Sequence, residues 1–247
     1  MDKLVYTAMS GAKYLLARQD TAAQNLAHVS TNGYRAQVDA MRSSPLPGDG
    51  ASTRVLATDV TIGTNFAPGP VQRTGNPLDV AVSGRGWIAV QALDGSEAYT
   101  RFGALEVSVD GALQTKTGLA VLSDGGGPIN VPTDASVSIA EDGTVSGMST
   151  TGKPTASTLG RIKLANPEDT ELVRGADGLF RTRDGEPAAA DAAVRLQPQA
   201  LEGSNVNAVE AMVTMITVAR QFEMQMKMIT AADENARQAD KLLAQTG

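Results

Sequence analysis

Apolar positions near the end of the chain fall on a helical ladder. Ala208, Met212, Met215, Ala219, Phe222, Met226 and Ile229 alternate at spacings of four and three, the period of a coiled-coil seam. At Ile229 the stripe slips by one and continues through Ala232, Ala236, Ala239 and Leu243. No Gly or Pro interrupts Asn205–Thr246, and Ser204 or Asn205 can cap the start. Such a helix extends roughly 60 Å at about 1.5 Å per residue, and its stripe predicts a long partner. The opening residues supply one: Met1, Val5, Ala8, Ala12, Leu15, Ala22, Leu26 and Val29 follow the same ladder, broken only at Gln19. Asn32-Gly33 then reads as the helix stop, with Gly in the left-handed position past the end.

Between the helices the pattern changes. From Ala36 to Pro77 it dissolves into breakers, with Ser43–Gly50, Pro68-Gly69-Pro70 and Gly75-Asn76-Pro77 punctuating short extended pieces. From Leu78 the period becomes two. Leu78, Val80 and Val82 alternate with Asp79, Ala81 and Ser83, and Trp87-Ile88-Ala89-Val90 is a short continuous apolar run. Asp-Gly recurs at 94, 110, 124, 142, 177 and 184, a device that supplies the positive φ of tight antiparallel hairpins. The expected fold is mixed α and β. Long N- and C-terminal helices form a coiled-coil pair and flank an extended linker and a central all-β antiparallel domain. The expected boundaries are 1–34, 35–77, 78–200 and 201–247.

Composition narrows the function. Of the 247 residues 42% are hydrophobic and only 4% aromatic, so the core is built from Val, Leu, Ile, Ala and Met. The net charge of −6 is concentrated in the middle of the chain, which argues against a nucleic-acid partner. No cysteine is present, so disulfides and thiolate metal sites are excluded. No apolar run is long enough to insert into a membrane. The start, Met1-Asp2-Lys3-Leu4-Val5, lacks the features of a cleaved secretory signal, and export is expected by another route.

Candidate chemistry is sparse. His28 has no Cys or second His nearby in sequence and reads as a helix-end side chain. Ser83-Gly84-Arg85-Gly86 and Gly125-Gly126-Gly127 lack the Lys-Ser/Thr and following helix of a phosphate loop. The Asp-Gly carboxylates lack the alternating ligands of an EF-hand. A hydrolase reading needs paired carboxylates, and Glu141 and Asp142 are adjacent on a turn, so a strand points them apart. A β-domain binding module is the remaining rival. No catalytic residue, cofactor or metal is expected. Tyr14, Leu16, Val213, Ile216 and Val218 lie off the seams, and apolar surface left on a helix pair favours association.

Several blocks resemble one family. Ala22-Ala23-Gln24-Asn25-Leu26-Ala27-His28-Val29-Ser30-Thr31-Asn32-Gly33-Tyr34-Arg35 is similar to the N-terminal signature of flagellar rod and hook proteins, with His28 where Asn is usual. Its motif positions are Asn25, Leu26, Ala27, Thr31, Gly33 and Tyr34. Pro77–Val82, Gly86–Val90, Tyr99–Gly103 and Asp110–Leu113 resemble the next blocks, and Glu202-Gly203-Ser204-Asn205-Val206 the C-terminal one. The chain looks most like the proximal-rod branch, with a distal-rod or hook-like subunit as the alternative. The resemblance implies a structural subunit of the basal-body rod that crosses the periplasm, exported unfolded through the flagellar type III apparatus. Its implied partners are copies of itself and other proximal and distal rod proteins. The implied assembly interface is Val5, Ala8, Ala12, Leu15, Ala22, Leu26 and Val29 with Ala208, Met212, Met215, Ala219, Phe222, Met226 and Ile229.

Overall fold

The Asp-Gly pairs are turns, most of them hairpin turns, in a computed structural model that describes residues 2–45, 55–132, 135–149 and 156–245. At 94, 110, 142 and 177 the Gly closes a hairpin by donating its N–H to the carbonyl three residues back, as Gly95 does to Ala92 and Gly143 to Ala140; beside Asp124 it is Gly126 that does so, to Ser123, and Gly185 closes onto Thr182 a turn that joins no paired strands. Only glycine takes positive φ there, because Gln199 is the single non-glycine residue with positive φ among the described residues. The expected two-residue turns need positive φ at both central positions. The observed ones instead follow three-residue geometry, in which a left-handed Gly ends the turn. The Asp supplies something else: Asp94, Asp142, Asp177 and Asp184 each accept the N–H two residues on.

The chain divides into two compact units. The first gathers residues 1–29, 36–65 and 206–247, and the second 30–35 and 66–205. In chain order the elements are α1 (Asp2–Ala27), β1 (Gln37–Pro45), β2 (Val55–Thr64), β3 (Val71–Arg73), β4 (Val80–Ser83), β5 (Trp87–Gln91), β6 (Glu97–Thr100), β7 (Leu105–Val107) and β8 (Leu113–Thr115). They continue as β9 (Ala135–Ile139), β10 (Thr144–Ser149), β11 (Ala156–Arg161), β12 (Leu164–Ala165), β13 (Leu172–Arg174), β14 (Phe180–Thr182), β15 (Arg195–Pro198), β16 (Ala200–Glu202) and α2 (Ala208–Gln245).

The second unit is all β and antiparallel. Its main sheet runs β12-β5-β6-β14-β13, with β11-β10-β9 and the pairs β15-β4, β16-β3 and β7-β8 around it. β5 explains the apolar run, because both of its faces are buried. Ile88 and Val90 join Val80, Leu105, Leu113, Val121 and Ile162 in one core, while Trp87 and Ala89 join Tyr99, Leu122 and Phe180 in the other. Gln199, at φ 57°, is the joint between β15 and β16. There the strand leaves β4 and takes up β3.

The first unit corrects the expected fold class. The chain is mostly β, with two helices against sixteen strands among the described residues, and no coiled-coil pair forms. Two seam positions, Met212 and Met226, are 50% and 44% exposed, and the buried line of α2 is Ala211, Val218 and Ala232. Gln225 holds the remaining place on that line and donates from Nε2 to the carbonyl of Ala8 at 2.9 Å. An amide laid on a helix backbone replaces the apolar knob that a seam needs. Ala8, Gly11 and Ala12 are small enough to admit it.

The extended linker is corrected too. β1 and β2 pair as an antiparallel ribbon from Gln37↔Thr64 to Pro45↔Val55, with a register shift between Ala40 and Arg42. Residues 46–54, part of the breaker cluster, lie outside the described residues. Both helix signals shift as well. The cap of α2 is Asn207, whose Oδ1 accepts from Val209 N and Glu210 N, rather than Ser204 or Asn205. α1 ends at Ala27, well before Gly33, which serves a different purpose.

Candidate functional site

The family motifs converge on one buried carboxylate. Glu202 ends β16 with its side chain 1% exposed. Its Oε1 lies 2.8 Å from Arg35 Nη2, a charge contact, and its Oε2 accepts from Arg101 Nη1 at 2.9 Å. Gly69 N–H donates to Oε1 at 2.9 Å. The backbone of the same residue is also used, since Glu202 C=O accepts from Gly33 N–H at 2.7 Å.

Neighbouring residues extend the clamp. Gly203 N–H donates to Pro70 C=O, Asn205 N–H to Tyr34 C=O, and Asn205 Nδ2 to Ala67 C=O. Three stretches of the second unit, 30–35, 66–70 and 202–205, are thereby tied together. These are the stretches that lead, along the chain, into and out of the first unit. Two glycines make the approach possible. A Cβ on Gly33 would lie 2.3 Å from the Arg101 carbonyl carbon, and one on Gly69 would lie 2.1 Å from Gly203 O. Gly33 also sits at φ 68°, so both space and conformation select glycine.

Charge is unbalanced at this point. Two buried guanidiniums face one carboxylate, and Arg101 Nε with Arg35 Nε and Nη1 donate to no protein acceptor. Burial pulls Arg101 below its ordinary value, with Glu202 opposing the shift. Arg101 also donates Nη2 to Gly84 C=O at 2.6 Å and lies over the Trp87 ring at 5.4 Å. Arg174 donates to Arg35 C=O at 3.0 Å, its guanidinium 4.5 Å from the Tyr34 ring.

The remaining motif residues work elsewhere. Asn25 grips the backbone of Gln37 twice within the first unit, donating from Nδ2 to its C=O and accepting its N–H at Oδ1, each at 2.8 Å. Thr21 Oγ1 donates to Asp39 Oδ1 at 2.8 Å and adds a second anchor for the ribbon. Thr31 C=O accepts from Tyr34 N–H, Tyr34 and Ser204 are buried, Leu26 is partly buried, and Ala27 is exposed.

Of the helical positions singled out by periodicity, Ala8, Ala12 and Ala22 are buried. Leu15, Val29, Ala208, Met215, Ala219, Phe222 and Ile229 are partly buried, and the side chain of Val5 lies outside the described residues. Asp142, half of the hydrolase pair, instead caps its own turn by accepting from Thr144 N and Oγ1. Arg101 and Gly69 were not recognisable as site residues from periodicity. The available signals were the membership of Arg101 in the Tyr99–Gly103 block that resembles the family, and the place of Gly69 between two prolines.

Comparison with known proteins places these motifs in one family. Residues 197–242 match the family described as flagellar basal body rod FlgEFG protein C-terminal, and residues 81–147 match the flagellar hook protein FlgE/F/G D1 domain. The flagellar basal-body rod protein FlgF of Salmonella typhimurium is 45% identical over 251 residues, covering 99% of both chains. The chain belongs to the flagellar basal-body rod protein family. FlgF of Escherichia coli strain K12 is 46% identical over 99% of both chains. The rod protein FlgG of Agrobacterium fabrum is 32% identical over 91% of this chain and 93% of its own. Within the rod family the chain is thus most like FlgF. The C-terminal match contains Glu202–Asn205, and the D1 match contains Trp87 and Arg101. Among the described residues no helix is long and apolar enough to cross a membrane.

Proposed function

We propose that this chain is a structural, non-enzymatic subunit of the proximal flagellar rod, joined to copies of itself and to other rod proteins through its terminal helices. It reaches the rod by way of the flagellar export apparatus. The observation that carries the reading is an uncovered apolar stripe on α2. Val209, Met212, Val213 and Ile216 follow one another at steps of three, one and three, and each is at least 50% exposed. That is one helix face at the spacing that meets another helix. Tyr6, Met9 and Leu16 leave a second such stripe on α1, at 69%, 55% and 47% exposure. Exposed apolar surface of this extent marks an interaction site. Met226, 44% exposed, adds to this surface, while Met215 and Phe222, partly buried, lie toward the inner line and support it. Ala8, Ala12 and Ala22, already covered within the chain, act by holding α1 in place.

Substituting Met212 and Ile216 together by Asp tests the proposal. The purified chain should keep its fold, while incorporation into rods and motility are lost. Normal rods and normal swimming from the double variant overturn it.

A further inference from the structure

Asn32-Gly33, which reads in the sequence as a helix stop, is the one Asn-Gly pair in the chain. The pair carries its own chemistry. Glycine has no side chain to shield its backbone nitrogen, so that nitrogen can attack the carbonyl carbon of the preceding Asn side chain. In the folded protein the nitrogen is engaged. Gly33 N–H donates to Glu202 C=O at 2.7 Å, and Tyr34 N–H closes the turn on Thr31 C=O at 3.3 Å. Gly33 is also held in place, since a Cβ there would lie 2.3 Å from the Arg101 carbonyl carbon and 2.5 Å from Phe102 N. Both residues of the pair are only partly buried. What guards them is therefore the hydrogen bond and the packing, not the exclusion of water.

We infer that Asn32 is a deamidation site, masked while the Glu202 clamp is closed and open whenever it is not. In the open chain Gly33 N attacks Asn32 Cγ. A C–N bond forms, the nitrogen gives up its proton to water, and the side-chain amide leaves as ammonia. One water then opens the five-membered imide at either carbonyl, giving aspartate or isoaspartate. No oxidant or reductant is involved. The products bear on the clamp itself. The imide nitrogen carries no hydrogen, so it has nothing to donate to Glu202 C=O. Isoaspartate places an extra backbone carbon directly before Gly33, where the approach to the Arg101 backbone leaves no room for a shift. A modified chain is thereby kept from closing the clamp. Chains that stay long unfolded acquire this mark, and chains that fold promptly escape it.

The full-length chain tests this at mildly alkaline pH. The readouts are mass spectrometry of the tryptic peptide Gln19–Arg35, fragmented to separate Asn32 from Asn25, and labelling by protein isoaspartyl methyltransferase. Unfolded in urea, the chain should gain isoaspartate at position 32 as fast as a blocked peptide of residues 29–36 in the same urea. Folded, it should do so at least about tenfold more slowly, because only the opened fraction reacts. Glu202→Gln, which loosens the clamp without touching the reacting residues, should quicken the reaction in plain buffer by more than about tenfold. Sub-denaturing urea should do the same to the parent chain, a reading that stands even where the variant fails to fold. Asn32→Gln, whose longer side chain closes no five-membered ring, should stay unmodified at that position. Equal rates in the folded chain and the peptide overturn the mask. Absence of isoaspartate at position 32 in the unfolded chain, while the peptide is converted, overturns the site. A folded-chain rate that ignores both Glu202→Gln and urea overturns the clamp as its guard. Chain enriched in isoaspartate should refold with a lower urea midpoint than Asn32→Asp, which has the charge without the added carbon, and equal midpoints overturn the effect on the clamp. None of these readings involves the rod, so they succeed or fail independently of the helix-face experiment.

Discussion

Glu202 Oε2 and Arg101 Nη1 meet at 2.9 Å although 101 positions of chain separate them. Both side chains are at most 5% exposed, so the pair is held in a medium that screens little. Removing one partner of such a pair strands the other charge. Glu202→Gln strands two, because Arg35 depends on the same carboxylate. The variant should lose about 3–5 kcal/mol of unfolding free energy, read as a lower urea midpoint. A loss below about 1 kcal/mol would show that the arginines find other partners.

Gly33 offers a sharper geometric test. It combines φ 68° with backbone atoms 2.3 Å from the place a Cβ would occupy, whereas Gly95 has φ 82° and open space around it. Left-handed φ alone costs an Ala roughly 1–2 kcal/mol. Gly95→Ala should therefore lose about that much. Gly33→Ala should lose clearly more, since the opposing atoms belong to the Arg101 backbone and must move. Equal losses in thermal denaturation would mean that the close approach carries no weight.

Much of this architecture was readable from residues, and the unreadable part has physical causes. The Asp-Gly pairs located the hairpins, because turn chemistry is local. Their three-residue geometry was not evident, because Asp serves either turn type. Helix existence at both ends followed from period and from the lack of breakers. The buried line was misplaced by one position. Val218 and Ala211 face inward instead of Ala219 and Met212, because Gln225 is a polar residue on the inner face and broke the apolar count. The ribbon of β1 and β2 was hidden by breakers at its far end. Its anchor, Asn25, was visible only as a motif letter until its two bonds to Gln37 gave it a role. Glu202 likewise stood in a recognised motif, but its partners Arg35 and Arg101 are assembled by topology, which no local pattern encodes.

Acid should weaken the second unit through its turn aspartates. The hydrogen bond from Arg181 holds the Asp177 carboxyl below its ordinary 3.8, and bonds from Thr144 and Ser96 do the same for Asp142 and Asp94. A carboxyl depressed in the folded state binds its proton more readily when unfolded. The stability it contributes is complete above the unfolded value and is lost as pH falls below about 4. Asp177 is substantially exposed, so its share is screened to less than about 1 kcal/mol. Asp177→Asn should flatten the acid limb of a melting temperature against pH profile while leaving its neutral plateau within a few degrees. Parallel profiles for the two proteins would remove Asp177 from the account.

Gln225 and Gly11 should prove energetically coupled. Gln225 Nε2 reaches the Ala8 carbonyl at 2.9 Å, and the position of a Cβ on Gly11 lies 3.0 Å from the same nitrogen. Gln225→Ala removes a partly buried hydrogen bond and should cost about 1 kcal/mol. Gly11→Ala pushes the amide off its acceptor, which offsets the helix propensity that Ala brings to a helix interior. In the Gln225→Ala background nothing is left to push, so Gly11→Ala should become stabilising by up to about 1 kcal/mol. A double-mutant cycle read by denaturation, with amide exchange along α1 as the local report, should give a coupling of roughly 0.5–1 kcal/mol. Strict additivity would mean that the amide does not set how α1 and α2 meet, and that the small residues of α1 do so alone.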